Sequence, residues 1–181
     1  MWGVFIGLDY INKTDPNLGT LKGTLNDAFE LEEAIEHVSN KATLEYESIL
    51  MYQRGSGFGP NAEEYEVNGE DINSYASIEN LQKLFEALKS VVKEEDLLIV
   101  TYHGHSDENI LALAPRNQSD TGKIKTDEEF LMSLEPIKGR NLVILDSCYS
   151  CMSVPPSEVS VSLVYEHPIK EWFETYYSKS K

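Results

Sequence analysis

Cysteine is scarce in this chain: there are two, Cys148 and Cys151. Residues three apart cannot staple distant parts of a fold, so a disulfide framework is excluded and a reducing, cytoplasmic setting is expected. Basic residues are few as well, 15 Lys and Arg against 31 Asp and Glu for a net charge of −16, and they form no cluster. That balance argues against nucleic acid or an anionic membrane surface as a partner; it fits cationic ligands, a bound cation, or solubility alone. No apolar run approaches the roughly 18 residues that would cross a membrane. The segment MWGVFIGLDY at the start lacks the basic n-region and small-residue cleavage site of a secretion signal. A nucleotide-binding glycine fingerprint is missing too, because GSGFG at 55–59 is followed by no helical pattern for about twenty residues.

What is present is enough for one compact domain: 181 residues, 41% of them hydrophobic. Four apolar, β-branched runs read as strands: Trp2–Leu8, a segment ending near Met51, Leu97–Tyr102 and Leu142–Leu145. The last is expected to be buried on both faces, as in the middle of a parallel sheet. Between the strands lie helical periodicities. Leu31, Ala34, Ile35 and Val38 mark a helix from about Asn26, with Asn26 or Asp27 satisfying its first N–H groups. Ser77 caps a helix over Ile78–Val92, and Thr126 with Glu129 forms a capping-box signature for a third. Gln53–Ser74 reads as a long surface loop. Strand, helix, strand, helix, strand, helix, strand is the pattern of an α/β fold with a mainly parallel sheet.

Two of the predicted strands end in reactive side chains, one in His103-Gly104-His105-Ser106 and the other in Asp146-Ser147-Cys148-Tyr149-Ser150-Cys151. Catalytic groups of parallel sheets collect outside the carboxyl ends of the strands. A serine nucleophile elbow at Ser106 would need a second glycine where Glu108 stands. A Cys2His2 zinc site could draw on His103, His105, Cys148 and Cys151. A dithiol redox site at Cys148 and Cys151 would want a helix after the motif, and Pro155-Pro156 follows instead. A cysteine–histidine dyad fits better: a thiol with an ordinary pKa of about 8.5 is only slightly ionised at neutral pH and needs a base beside it, and a histidine on an adjacent strand end supplies one.

Three motifs carry a resemblance. Tyr102-His103-Gly104-His105-Ser106 resembles the Y-S-G-H-G strand end of caspase-like cysteine peptidases, and Asp146-Ser147-Cys148-Tyr149-Ser150 is similar to their D-S-C-H-S-G segment. Leu21-Lys22-Gly23-Thr24-Leu25-Asn26-Asp27-Ala28 is similar to the L-x-G-C-x-N-D-A of the metacaspase and paracaspase branch. The motifs occur in the family's order across residues 1–151.

The resemblance implies a caspase-like three-layer sandwich, with helices on both faces of a mainly parallel sheet, that cleaves peptide substrates as a thiol protease. Cys148 would be the nucleophile and His105 the general acid and base, with the oxyanion held by the backbone N–H groups of Ser106 and Cys148. Asp27 and Asp146 match the acids that line the pocket for a basic P1 residue, so cleavage after Arg or Lys is expected and cleavage after Asp is disfavoured. No resident metal or other cofactor is expected. Some relatives depend on calcium, for which Asp120, Asp127 and Glu128 are the candidates, although Asp127 and Glu128 already suit a helix N-terminus. The chain departs from the family at His103, where a serine is usual, at Ser106, Tyr149 and Cys151, and in having only 33 residues after Cys148. Residues 152–181, with Val159–Tyr165 as a strand and Ile169–Tyr176 as a helix, read as a short extension of the same domain. The substrate groove could then need another chain or a missing segment, and a catalytically silent interaction module is the alternative.

Overall fold

The computed structural model describes residues 1–10, 18–53, 58–59 and 63–148. The expected strand at 159–165 and helix at 169–176, the 152–181 extension and Cys151 lie outside them. Four strands, β1 (Trp2–Gly7), β2 (Glu47–Tyr52), β5 (Leu97–His103) and β9 (Arg140–Asp146), make one parallel sheet in the order β2-β1-β5-β9. The expected α/β architecture with a parallel central sheet is therefore what the chain forms.

Alternation along the strands sorts the side chains onto two faces. Phe5, Leu50 and Tyr52 point to the side covered by α1 (Thr24–Lys41), where Ala28, Leu25, Leu31 and Ile35 meet them. Val4, Ile6, Ile49, Met51, Leu98, Val100 and Tyr102 face the larger cluster. There α2 (Ile78–Val91) contributes Leu81, Leu84, Phe85 and Leu88, and a helical stretch later in the chain contributes Phe130, Leu131 and Leu134. Ser77 caps α2 as expected, its hydroxyl accepting from the Asn80 N–H at 3.3 Å.

Four expectations need correction. First, α1 starts at Thr24, two residues before Asn26, and neither Asn26 nor Asp27 caps it. Gly23 holds that position in a left-handed conformation (φ 112°), while the Thr24 hydroxyl donates to Leu8 O at 2.7 Å and lies 3.0 Å from an Asp9 carboxylate oxygen. The helix start is thus tied to the end of β1, and Asp27 sits in the first turn.

Second, Gln53–Ser74 is not a loop throughout: β3 (Glu64–Val67) and β4 (Glu70–Asn73) form an antiparallel hairpin. Its turn is Asn68-Gly69, with φ of 54° and 76°. Positive φ at both central residues matches the twist of the flanking strands. Asn-Gly between short runs was the available signal, masked by the density of charged residues around it.

Third, β9 is the edge of the sheet among the described residues, and Leu142, Val143, Ile144 and Leu145 are half-buried rather than central. Val143 and Leu145 pack on the main core, so the apolar run reflects burial mostly on one side. Fourth, the third helix opens as a wide π-type stretch, Thr126–Leu131, continuing into a short α3 (Met132–Leu134). The expected capping box at Thr126 does not form: the N-cap is Lys125, whose N–H donates to a Glu129 carboxylate oxygen at 2.7 Å, while the Thr126 N–H donates to Asn109 O at 3.0 Å and the Thr126 hydroxyl has no partner among the described residues. Before it, β6 (Ser106–Asp107), β7 (Ile110–Ala112) and β8 (Lys123–Lys125) make a small antiparallel sheet at the exit of β5.

Candidate functional site

The chain first crosses from β1 to β2 on one side and then returns past β1 to β5 on the other. At such a reversal the connections diverge, and a crevice opens at the carboxyl ends of the two central strands. Here those ends are Gly7-Leu8-Asp9 and His103-Gly104-His105, bridged by the Leu8 N–H donating to His103 O at 3.1 Å. The end of β9 lies next to them.

Parallel register pairs His103 with Asp146. His105 and Cys148 each lie two residues further on, leaving neighbouring strands at the same end of the sheet, with strands spaced about 4.8 Å apart. Cys148 is exposed and its thiol is free. Ser106 starts β6, half-buried, with a hydroxyl lacking a partner among the described residues.

His105 is held on every side. Its ring Nε2 lies 2.7 Å from Gly19 O. A carbonyl can only accept, so Nε2 is the donor, and in the neutral ring the lone pair then sits on Nδ1. The ring stacks obliquely on Tyr10, with centroids 4.6 Å apart. Its backbone N–H donates to the Tyr10 hydroxyl at 2.6 Å, and its carbonyl accepts from the Tyr102 hydroxyl at 2.6 Å. Tyr10 in turn donates to Ala112 O at 2.7 Å. Burial pushes the Tyr10 phenol up to about 12, and raises Tyr102 well above its ordinary value, so both keep the protons that this network uses. Gly104 completes the clamp, because a Cβ there would stand 2.5 Å from the Tyr10 hydroxyl and 2.8 Å from that of Tyr102.

Asp27 and Asp146, expected to share a cleft, do come together, and His103 joins them. One ligand atom from each lies within 4.8 Å of the others, and His103 Nδ1 is 3.2 Å from Asp146 Oδ2. His103 is 5% exposed, whereas both aspartates are exposed. The approach of α1 makes this possible: Gly7 has no side chain, and a Cβ there would be 2.9 Å from both Ala28 Cβ and Leu25 Cα. The helix therefore starts close against β1, bringing Asp27 over the strand ends.

The two histidines of H-x-H part ways, His103 toward the aspartates and His105 toward Gly19, so among the described residues they do not form one ligand group with Cys148. The calcium candidates do not converge either. Asp120 accepts from the Arg116 and Gly122 N–H groups, which with the Arg116 charge hold its carboxyl below the usual range despite partial burial, while Asp127 accepts from Asn109. Tyr10, Gly19 and the part played by His103 were missed from sequence. Tyr10 has a left-handed backbone (φ 57°) that no periodicity announces, and a backbone carbonyl such as that of Gly19 leaves no residue-type signature. No protein-family model matches the chain, and no curated protein matches it.

Proposed function

We propose that the chain is a caspase-like cysteine endopeptidase of the metacaspase and paracaspase type, with Cys148 as nucleophile, His105 as general base and acid, and a preference for Arg or Lys at P1. The observation that carries this reading is the β5–β9 register, in which His105 and Cys148 follow a paired His103 and Asp146 off adjacent strands. The Gly19 contact supports it further, because it leaves Nδ1 of His105 free to accept a proton.

In this mechanism His105 Nδ1 takes the Cys148 thiol proton, and the thiolate attacks the scissile carbonyl carbon. The negative charge that develops on oxygen is met by the Ser106 and Cys148 N–H groups, fixed dipoles that need no reorganisation. The imidazolium, steadied through Nε2 by Gly19 O, gives its proton to the leaving amine, and a thioester remains. Water then attacks with His105 again as base, releasing the acid and restoring the thiol. Asp27 and Asp146 supply the negative charge that a P1 guanidinium or ammonium meets.

One observation favours the silent interaction module as second reading: His103 already engages Asp146, which weakens the pocket for a basic side chain. Hydrolysis of fluorogenic peptides with Arg, Lys or Asp at P1 separates the two. The peptidase reading expects turnover of the basic substrates, lost in Cys148→Ala. Turnover that survives in Cys148→Ala, or none in the wild type with any basic substrate, overturns it.

A further inference from the structure

Asp27, His103 and Asp146 have a geometry that a P1 pocket does not require. A pocket for a guanidinium needs carboxylates, yet a buried imidazole lies within 4.8 Å of both of them. Asp27 has no ion pair among the described residues, and the one charged-group contact of Asp146 is with His103 itself. Two carboxylate oxygens and one imidazole nitrogen facing one another are instead the donor set of a borderline divalent metal.

The distances suit such an ion. Tetrahedral zinc with ligands at about 2.0–2.1 Å has ligand edges of about 3.3 Å. His103 Nδ1 and Asp146 Oδ2 are 3.2 Å apart already. The remaining separation, up to 4.8 Å, closes by rotation of exposed aspartate side chains on a buried, fixed imidazole. Asp27 stands on the first turn of α1, His103 on the last residue of β5 and Asp146 on the last residue of β9. All three donors thus project from regular elements at one end of the sheet, with solvent access for a completing water.

We propose that Asp27, His103 and Asp146 bind one divalent transition-metal ion, zinc by preference, through one oxygen of each aspartate and one imidazole nitrogen. The site is separate from the thiol: Cys148 is not among its ligands. The ion and a basic P1 side chain require the same two carboxylates, so metal occupancy opposes cleavage after Arg or Lys. That last consequence rests on the peptidase reading; binding itself does not.

Cobalt(II) is the probe, because its visible absorption reports both coordination number and sulfur ligation. The full chain, stripped with chelator, is titrated with Co²⁺ and then with Zn²⁺. One equivalent of Co²⁺ is expected to bind with tetrahedral or five-coordinate absorption, without a thiolate charge-transfer band, and to be displaced by Zn²⁺. Asp27→Asn and His103→Ala should each weaken binding by at least about 10-fold, while Cys148→Ser leaves it unchanged. Circular dichroism checks that the variants fold, and the exposed Asp27 provides a variant with little folding risk. Absence of stoichiometric binding, binding indifferent to Asp27→Asn, or a thiolate band that vanishes in Cys148→Ser overturns the proposal. None of these readouts depends on peptidase activity.

Discussion

The side chain that constrains the candidate site most is Tyr10. Its hydroxyl accepts from the His105 N–H and donates to Ala112 O, and its ring lies against the imidazole. Tyr10→Phe leaves the His105 N–H without its acceptor, a loss of about 1–3 kcal/mol for a buried donor. The expected outcome is a lower melting temperature and, in the proposed peptidase reading, a fall in kcat larger than any change in KM, because His105 loses its anchor while Asp27 and Asp146 are untouched. The same residue gives a pH signature. Its folded pKa is raised from the ordinary 10.0 to about 12, so the folded state binds more protons than the unfolded state between those values. Its contribution is complete below pH 10 and declines as pH rises toward 12. Denaturant midpoints measured across that range should fall, less steeply in Tyr10→Phe. Tyr46 and Tyr65, also raised by burial and nearby acids, add to the same slope in both proteins.

Among the elements, the start of α1 against β1 decides where Asp27 stands. Gly7→Ala puts a Cβ at 2.9 Å from Ala28 Cβ and Leu25 Cα, and backbone cannot yield as a flexible side-chain tip can. The helix must move outward, at a cost of about 1–3 kcal/mol. The proposed P1 preference should weaken with it, seen as a higher KM for Arg substrates with kcat less affected. Elements also show what could be read in advance. Strands and helices with strong period, such as the stripe from Ile78 to Val92 on α2 and its C-cap, were legible because packing against one core enforces the period. The β3–β4 hairpin was hidden because its strands, EYEV and EDIN, bury little besides Val67 and Ile72; only Asn68-Gly69 announced it. The stretch that opens at Thr126 buries Phe130 and Leu131 in a π-type turn, a geometry that a capping-box pattern does not encode.

At the scale of the molecule, the nearness of Asp27 and Asp146 was legible through the resemblance, which assigns both acids to one pocket; the fold meets it by setting the first turn of α1 and the end of β9 at the same end of the sheet. His103 was not, because its role depends on the β5–β9 register rather than on its neighbours in sequence. The net charge of −16 acts over the whole surface. It raises the local concentration of cationic peptides, an attraction that salt screens with a Debye length of about 8 Å at physiological ionic strength and about 3 Å at 1 M. In the proposed reading, KM for Arg and Lys peptides therefore rises with added salt, and steady-state kinetics in a sodium chloride series checks it. Among the described residues no helix is long and apolar enough to cross a membrane. If Cys148 and His105 act together beside a pocket for basic side chains, as proposed, a peptidyl electrophile carrying Arg at P1 should label the protein, as read by mass spectrometry of its digest. One adduct is expected, on Cys148, abolished in His105→Ala and not formed by the matched reagent carrying Asp; no adduct, equal labelling by both reagents, or an adduct on Cys151 alone overturns the peptidase reading.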